Sequence, residues 1–551
     1  MSTSQAAAIV IGAGLSGLVA ACELIDAGKR VILVDQESEA NFGAQAWWSF
    51  GGIFLVDSPE QRRLGVKDSV DLALQDWFGT AGFDREEDHW PRQWARAYVE
   101  WAAGEKRQWL SDRGVKFFPV VGWAERGGYG AIGHGNSVPR FHITWGTGPG
   151  IVEPFAEKVR EGVKNGLVEL KFRHRVDRLI TADGAVTGVA GSVLIPDAAP
   201  RGVATSREVA GEFELHADCI IVASGGIGGN HDLVRQNWPE RMRPAPKRML
   251  SGVPAHVDGR MLAITQQAGG ALINTDRMWH YVEGIKNFAP VWDKHAIRIL
   301  PGPSSLWFDA TGKRLPGPLW PGFDTLGTLE HIMGTGHDHS WFVLTQKIIE
   351  KEFALSGSEQ NPDLTNKDLK LLAKRIGKGA PGPVEAFKEQ GEDFIVGDTL
   401  DEVLKEMAAR AAADGVDLDI ANIKAEVQAH DREIVNEFTK DSQINALRQA
   451  RNYKGDKLIR VATPHQFQDP SAAPIIAVKL NILTRKSLGG IHTNLNSQVL
   501  DSDGAPIPGL YAAGEAAGFG GGGVHGYRAL EGTFLGGCLF SGRAAGRAAA
   551  Q

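Results

Sequence analysis

The chain has 551 residues, more than a single hydrophobic core accommodates, so we expect two domains. A hydrophobic content of 43% and a charged content of 23% exclude a disordered or fibrous protein, and a net charge of −7 with scattered Lys and Arg argues against a nucleic-acid partner. The three cysteines, Cys22, Cys219 and Cys538, lie far apart, which predicts neither a metal site nor a disulfide framework.

The N-terminal segment AAAIVIGAGLSGLVAACELIDAGKRVILVD has the pattern of a buried strand, a glycine turn, a helix and a second buried strand. Gly12 permits the tight turn, Gly14 lets a pyrophosphate approach the backbone, and Gly17 lets the helix pack closely on the strand. Asp35 ends the second strand and is placed to bind a ribose hydroxyl. The segment predicts a dinucleotide site but does not separate FAD from NAD.

Two further glycine turns follow buried strands far along the chain. The segment ADCIIVASGGIGGNHDLV has its turn at residues 224–226, and IPGLYAAGEAAG has its turn at Gly514 and Glu515. Near the C-terminus, LEGTFLGGCLFSGRAAGRAA has the small residues of a closely packed helix.

This order of motifs resembles the flavoprotein family of fumarate reductase, succinate dehydrogenase and the 3-ketosteroid dehydrogenases. The resemblance implies an α/β fold: a Rossmann-like FAD-binding domain of the glutathione-reductase type with an inserted α+β capping domain. We expect the FAD-binding domain to comprise residues 1–275 and 470–551, and the capping domain to comprise residues 276–469. Helical periodicity in residues 398–415 and 420–438 agrees with such a cap, which excludes water from hydride transfer.

The resemblance also assigns positions along the flavin. It implies that Glu515 binds ribityl or ribose hydroxyls, and that residues 533–535 open the C-terminal helix towards the flavin pyrimidine. In GAQAWWSFGG, Gln45 stands where members with covalent flavin carry the linking histidine, so we expect non-covalent FAD. The predicted FAD contacts are Gly12, Gly14, Leu15, Ser16, Gly17, Asp35, Gln36, Gln45, Ala46, Ser49, Gly51, Gly52, Val176, Ser224, Gly225, Gly226, Gly514, Glu515, Thr533, Phe534 and Leu535.

The glycine-rich segment GEAAGFGGGGVHGYRALEG raises the question of what lies against its bare backbone. We expect Gly520–Gly523 to face the isoalloxazine and the reacting end of the substrate. Dehydrogenation next to a carbonyl needs donors that hold the carbonyl oxygen, and His525, Tyr527 and Arg528 offer them. Aligned on HGY, Tyr527 occupies the position that polarises the 3-keto group in the steroid dehydrogenases.

The sequence leaves the proton acceptor open. Gly322 or Phe323 stands where the resemblance places the cap tyrosine of the steroid dehydrogenases, and neither residue can take a proton. The candidates are therefore His280 and Tyr281, where the chain enters the cap, and His142.

We expect an FAD-dependent oxidoreductase that acts on CH–CH bonds next to a carbonyl and takes an apolar ketone or enone. One alternative is an enoate or fumarate-type reductase running in the reverse direction, in which Arg528 would bind an anionic substrate. It is disfavoured because the family's carboxylate-binding arginine falls on Ala529 and its cap arginine has no counterpart in GFDTLGTLEHI. The other alternative is a flavin electron-transfer partner without a small substrate.

The electron acceptor is not identified by the sequence, and a quinone is one candidate. No apolar run approaches the roughly 20 residues that cross a bilayer. We therefore expect a cytoplasmic protein without a transmembrane segment, with peripheral contact with a membrane left open.

Overall fold

The structure is a computed structural model that describes residues 6–127, 133–374 and 379–551. The strands in the first part of the chain are β1 (Ala6–Ile11), β2 (Val31–Asp35), β3 (Gly52–Phe54), β4 (Phe117–Gly122), β5 (Phe141–Thr144), β6 (Val168–Phe172), β7 (His174–Ala182), β8 (Ala185–Leu194), β9 (Val209–Val222), β10 (Leu250–Ser251) and β11 (Leu272–Ile273). The helices there are α1 (Leu15–Asp26), α2 (Ala44–Trp47), α3 (Pro59–Arg63), α4 (Val70–Ala81), α5 (His89–Ala103), α6 (Lys106–Asp112), α7 (Thr147–Lys164), α8 (His231–Gln236) and α9 (Arg260–Gln267).

The middle of the chain contains the strands β12 (Met278–Lys286), β13 (Ala296–Leu300), β14 (Leu306–Asp309), β15 (His339–Thr345), β16 (Ala354–Leu355) and β17 (Phe394–Gly397). Its helices are α10 (Thr325–Gly334), α11 (Gln346–Glu352), α12 (Pro362–Thr365), α13 (Leu369–Lys374), α14 (Gly382–Gln390), α15 (Leu400–Ala413), α16 (Ile420–Glu433), α17 (Ser442–Ala450) and α18 (Lys454–Ile459). The last part contains β18 (Ile475–Ser487), β19 (Gly490–Ile491), β20 (Gln498–Leu500), β21 (Pro506–Ala512) and α19 (Thr533–Ala549).

Parallel strands form the centre of the first sheet, in the order β21, β9, β1, β2 and β6. The apolar residues of β1 are almost all buried, as expected for a parallel strand covered on both faces. β20 is an antiparallel edge strand next to β21. β9 is long, and its first half pairs with β8, which in turn pairs with β7.

The carboxyl ends of four parallel strands open at one edge of this sheet. β1 ends at Ile11, β2 at Asp35, β9 at Val222 and β21 at Ala512. Because the strands are parallel, the turns that follow them lie side by side, which is where ligands bind in sheets of this kind. Motifs that are far apart in the sequence are therefore neighbours.

A mainly antiparallel second sheet has the strand order β14, β15, β18, β12, β13 and β16, with β10 and β17 also paired to β18. The helical periodicity in residues 398–415 and 420–438 is confirmed by α15 and α16. β18 begins after residue 469, yet it pairs with β12 and β15. The residue ranges assigned to the two domains stay a prediction.

α19 packs closely against α1. A Cβ on Gly542 would lie 2.5 Å from the carbonyl oxygen of Ser16, and a Cβ on Gly546 would lie 2.5 Å from that of Ala20. These two pairs show that the helices run parallel, with α19 starting about eight residues, or about 12 Å, before α1. Among the described residues, no helix combines the length and the apolar character needed to cross a membrane.

Candidate active site

A cavity opens where β1, β2, β9 and β21 end, and it reaches β12, β13 and β18 of the second sheet. Its free space, counted with its open mouth, is about 1600 Å³. The predicted FAD contacts that line it are Gly12, Gly14, Leu15, Ser16, Asp35, Gln36, Gln45, Ala46, Ser49, Gly51, Gly52, Val176, Ser224, Gly225, Glu515, Phe534 and Leu535.

Two positions tolerate only glycine, Gly12 in the turn between β1 and α1 and Gly17 in the first turn of α1. Gly12 has a φ of +107°, and a Cβ on it would lie 2.6 Å from the carbonyl oxygen of Ala223. A Cβ on Gly17 would lie 2.0 Å from the carbonyl oxygen of Gly12. Gly14 lines the cavity at the N-terminus of α1, whose first N–H groups have no acceptor within the helix and suit a phosphate.

Asp35 stabilises the same turn through hydrogen bonds. Its two carboxylate oxygens accept hydrogen bonds from the backbone N–H groups of Ala13, at 2.7 Å, and Glu37, at 2.8 Å. Burial raises the pKa of this carboxyl, and the two backbone donors oppose the rise. Together with Gln36, Asp35 presents polar atoms to the cavity where a ribose hydroxyl would bind.

Glu515 lies in the cavity wall, where its Oε1 accepts a hydrogen bond from the backbone N–H of Ser487 at 2.9 Å. Burial raises the pKa of Glu515 to about 7. A Cβ on Gly226 would lie 2.3 Å from that same Oε1, so Gly226 leaves space for the carboxylate instead of facing the cavity. The predicted contacts that lie behind the wall, for similar packing reasons, are Gly17, Gly226, Gly514 and Thr533.

The segment between β2 and β3 lines the cavity on another side. Ser49 Oγ donates a hydrogen bond to the carbonyl oxygen of Ala46 at 2.7 Å, and Gln45 faces the cavity next to them. A Cβ on Gly52 would lie 1.9 Å from the ring of Phe141, so this position has no room for a side chain. The segment therefore contributes Gln45, Ala46, Ser49, Gly51 and Gly52 to the cavity wall.

The N-terminus of α19 meets the cavity at Gly532, Phe534 and Leu535. Because α19 starts about 12 Å before the parallel α1, two positive helix ends face one cavity at different depths. This arrangement fits a molecule with a pyrophosphate at one end and an electron-accepting ring at the other. The residues present therefore fit FAD.

Tyr281 of β12, Arg298 of β13 and Lys486 of β18 line the cavity at the second sheet. The hydroxyl oxygen of Tyr281 lies 2.6 Å from Lys486 Nζ. Burial, followed by the positive charge of Arg485, lowers the pKa of Lys486 to about 7. Burial also raises the pKa of Tyr281. A phenol and an amine with displaced pKa values in one cavity are typical of a proton-transfer site.

Three carboxylates hold Arg298 next to this pair. Its guanidinium donates to Glu531 at 2.6 Å, to Glu125 at 3.0 Å and to Glu283 at 3.3 Å, and it lies 3.7 Å from the centre of the Tyr281 ring. Burial raises the pKa of Glu283, and the charge of Arg298 opposes the rise. Since its donors are engaged by protein acceptors, Arg298 fixes the position of Tyr281 within the cavity wall.

Tyr527 and Arg528, two predicted catalytic residues, do not line this cavity. The Tyr527 hydroxyl donates to the two carboxylate oxygens of Asp84 at 3.0 and 3.2 Å, and the guanidinium of Arg277 lies 4.1 Å from the centre of its ring. Arg528 forms an ion pair with Asp324 at 3.6 Å. Both side chains therefore have protein partners away from the predicted site.

The glycine run does not face the cavity, so the prediction that Gly520–Gly523 lies against flavin and substrate is wrong. Cβ atoms on Gly520 and Gly521 would meet the ring of Trp94 at 2.7 and 2.8 Å, so the bare backbone accommodates that side chain. His525 is buried against Trp77, with ring centres 5.5 Å apart, and burial lowers its pKa to about 3. It is a neutral ring outside the cavity.

The other predicted histidines are also buried and do not line the cavity. His142 Nδ1 donates to the carbonyl oxygen of Arg140 at 2.9 Å, so Nε2, at 2.7 Å from Ser58 Oγ, accepts the hydroxyl proton. His280 Nδ1 accepts the backbone N–H of Arg485 at 3.0 Å. Burial lowers the pKa values of His142 and His280 to about 4 and about 3. Of the predicted proton acceptors, Tyr281 alone lines the cavity.

The sequence reasoning missed the basic residues of the cavity, Arg298, Arg485 and Lys486. A signal for two of them was present, because RK interrupts the apolar segment IIAVKLNILTRKSLGG near its end. Charged residues in a buried strand need a partner or a function. Arg298 had no comparable signal in its surroundings.

The fold and the cavity together define a flavin-dependent oxidoreductase with a Rossmann-like FAD-binding domain and a capping domain. The family model of the FAD binding domain matches residues 7–535. The chain belongs to this family of FAD-binding proteins, and FAD is its cofactor.

Known proteins resemble the chain along its whole length. A KsdD-like steroid dehydrogenase of Mycobacterium tuberculosis (strain CDC 1551 / Oshkosh) is 64% identical over 545 residues, covering 99% of this chain and 95% of the relative. A KsdD-like steroid dehydrogenase of Mycolicibacterium smegmatis is 64% identical over 532 residues, covering 97% of this chain and 96% of the relative. These comparisons confirm the predicted family and the class of FAD-dependent dehydrogenase acting on CH–CH bonds.

Solved structures show the same fold. The 3-ketosteroid Δ1-dehydrogenase from Sterolibacterium denitrificans, in complex with 1,4-androstadiene-3,17-dione, has a TM-score of 0.67 at 16% identity, covering 100% of both chains. The 3-ketosteroid-Δ4-(5α)-dehydrogenase from Rhodococcus jostii RHA1 has a TM-score of 0.62 at 20% identity, covering 100% of this chain and 97% of that chain. They confirm the predicted fold class, an FAD-binding domain with an inserted cap.

Proposed function

We propose that this protein binds FAD without a covalent bond and uses it to introduce a C=C bond next to the carbonyl of a steroid ketone. Two relatives that are 64% identical over nearly the whole chain are named KsdD-like steroid dehydrogenases, which supports this substrate class. Gln45, which lines the cavity, has no nucleophile that could bond to the flavin. A quinone is the acceptor that we propose for the electrons.

Two groups of residues would hold FAD, one at its pyrophosphate and hydroxyl groups and one at its flavin ring. The turn at Gly12 and Gly14 and the N-terminus of α1 would bind the pyrophosphate, while Asp35 and Glu515 would bind hydroxyl groups. The N-terminus of α19 would face the pyrimidine ring. When bound there, FAD supplies the atom that accepts hydride from the substrate.

The substrate would lie between the flavin surface and the second sheet. Phe50, Ala124, Phe141 and Leu300 give this part of the cavity apolar walls, which suit a flat hydrocarbon skeleton. Tyr281 is the polar group among them whose hydroxyl can exchange a proton with a neighbour, at 2.6 Å. The observation that carries the proposal is that Tyr281 and the predicted FAD contacts line one cavity.

In this proposal Tyr281 takes the proton from the carbon next to the carbonyl. The role given to Tyr527 by sequence is not retained, because its hydroxyl is bonded to Asp84 outside the cavity. Arg298 orients the Tyr281 ring, and the cap excludes water from the reaction.

The test is anaerobic absorbance of the purified flavoprotein during titration with a panel of 3-ketosteroids and non-steroid cyclic ketones. We expect a ketosteroid to bleach the oxidised flavin band and to leave a product that has lost two hydrogens. Acid precipitation of the same sample should release all flavin into the supernatant. Flavin that stays with the precipitate would contradict non-covalent binding, and bleaching by none of the ketones would contradict the substrate class.

A second candidate is the reduction of an anionic enoate. Arg485 and Lys486 both line the cavity, and among the described residues neither forms an ion pair with a carboxylate. They, and not Arg528, are the cations placed to bind an anionic substrate. Reoxidation of chemically reduced protein by an enoate, together with no bleaching by ketones, would favour this candidate.

A further inference from the structure

Lys486 and Tyr281 meet because two strands distant in sequence are paired. β18 is antiparallel to β12, with Lys486 opposite Trp279, two residues from Tyr281. This diagonal position places Lys486 Nζ 2.6 Å from the Tyr281 hydroxyl oxygen. Both residues line the cavity.

The amine of Lys486 lacks a counter-ion among the residues that the structure describes. Within the ranges that the structure describes, it forms no ion pair with a carboxylate. Burial, followed by Arg485 and Arg298, favours the neutral amine, whereas Glu531, Glu515 and the ring of Phe534, whose centre lies 4.0 Å from Nζ, favour the ammonium form. The effects that favour the neutral amine are the larger ones, and the pKa of Lys486 falls to about 7. The neutral amine is therefore accessible near neutral pH.

Several ionisable groups surround this amine, and they differ in what they can contribute near neutral pH. They are Tyr281, Arg298, Arg485, Glu515, Glu531, His280, His525 and Cys538. Burial lowers the pKa values of His280 and His525 to about 3 and raises that of Cys538 to about 12, so these three stay uncharged. Glu515, with a pKa raised to about 7, titrates in the same range and needs its own control.

We propose that Lys486 is the final acceptor of the substrate proton, which reaches it through the hydroxyl group of Tyr281. This inference rests on the proposed function, because it concerns a CH–CH dehydrogenation in this cavity. Lys486 acts through Tyr281, so it is a positioning and proton-accepting partner of the tyrosine.

The transfer balances in atoms and charge. The C–H bond next to the carbonyl breaks, its proton goes to the Tyr281 oxygen, and the O–H proton of Tyr281 passes to Lys486 Nζ. The electron pair of that C–H bond forms the new C=C bond as the neighbouring carbon gives its hydride to the flavin. The amine ends as an ammonium, and Tyr281 ends as a neutral phenol.

The direction of the pH dependence follows from this transfer. Only the neutral amine can accept the proton, so the rate of dehydrogenation should rise about tenfold per pH unit below the pKa of Lys486, which is about 7, and level off above it. The reverse reaction needs the ammonium, so reduction of the product enone by reduced flavin should slow as pH rises above about 7.

The experiment is the rate of anaerobic flavin bleaching by a 3-ketosteroid, measured by rapid mixing across this pH range in the FAD-loaded protein. Lys486→Met should bind FAD, lose about 10²–10⁴ in rate and lose the rise with pH. Lys479→Met is the matched control, because Lys479 lies on the same strand but pairs with Asp414 away from the cavity. It should keep the wild-type rate and profile, and Glu515→Gln should keep the rise with pH whatever its rate.

The outcomes separate this inference from the function on which it rests. No bleaching of the wild-type flavin by any ketosteroid would overturn the proposed function. Bleaching with an unchanged pH profile in Lys486→Met would overturn the inference and leave that function standing. Should the Met variant fail to fold, Lys486→Arg keeps the charge but cannot accept the proton; a wild-type profile in that variant would overturn the inference too.

Discussion

The two ends of the cavity are built in different ways. The cofactor end is made mainly of backbone: glycine turns after parallel strands and the N-termini of α1 and α19. The reacting end is made of side chains, and its central pair, Tyr281 and Lys486, is 205 residues apart in sequence. Short motifs encode the first end through their spacing, whereas strand pairing in the second sheet creates the other.

This difference implies that the two ends respond differently to substitution. At the cofactor end a single added methyl group would collide with backbone atoms, so the effect of a substitution there depends on the size of the new side chain. At the reacting end one guanidinium lies among three carboxylates, and one amine has no counter-ion in the part of the chain that the structure describes, so the effect of a substitution there depends on charge. Substitutions that change only shape or only charge can therefore test the comparison.

The largest effect is expected for Gly17→Ala at the cofactor end. The new Cβ would lie 2.0 Å from the carbonyl oxygen of Gly12, which forces the turn apart. We expect loss of bound FAD, and hence of all activity, measured as the ratio of flavin to protein absorbance. Gly211→Ala, on β9 of the same sheet, is the control, because no atom lies within 4 Å of its Cβ position. Full FAD content in Gly17→Ala would contradict the importance of backbone shape.

Arg298→Met should have the next largest effect, this time on stability. It leaves Glu531, Glu125 and Glu283 buried without their cation, which typically costs about 3–5 kcal/mol. Denaturant unfolding of the FAD-loaded protein measures the loss. The control is Arg62→Met, because its ion pair with Asp57 is exposed and screened by solvent and should contribute far less. Equal losses in both variants would show that the buried charges do not hold the reacting end together.

A smaller effect is expected for Phe50→Leu in the apolar wall. Phe50 lines the cavity and stacks on Phe141, with ring centres 6.3 Å apart. A smaller wall should weaken ground-state and transition-state binding equally, raising KM for a ketosteroid about tenfold with little change in kcat. Phe438→Leu, at a residue that is 86% exposed, should change neither constant. A fall in kcat with unchanged KM would place Phe50 at the chemistry and not in the wall.

The sequence was sufficient to predict most of the cofactor end. Gly12 and Gly14 follow β1 and precede α1, and Asp35 ends β2; this local order alone predicts the site. The amphipathic periodicity that predicted α15 and α16 is local in the same sense. Gly226 was assigned to the cofactor because a glycine turn does not reveal on which side its missing side chain is needed.

The reacting end could not be predicted in the same way. Gly520–Gly523 has the composition expected beside a ring, but the ring is that of Trp94, some 430 residues earlier in the chain. Tyr281 was among the candidates because of its residue type and position, whereas its partner Lys486 depends on the register between β12 and β18. No local pattern specifies such a register between distant strands.

The most direct test of the account compares Tyr281→Phe with Tyr527→Phe in anaerobic flavin reduction by a ketosteroid. Both substitutions remove one hydroxyl group, from a tyrosine in the cavity and from one bonded to Asp84 outside it. The account predicts that Tyr281→Phe slows flavin reduction by about 10²–10⁴ and that Tyr527→Phe changes it by less than about threefold. If Tyr527→Phe slowed flavin reduction more than Tyr281→Phe, the catalytic tyrosine would be the one in the C-terminal turn. That result would contradict the assignment of the catalytic centre to the second sheet.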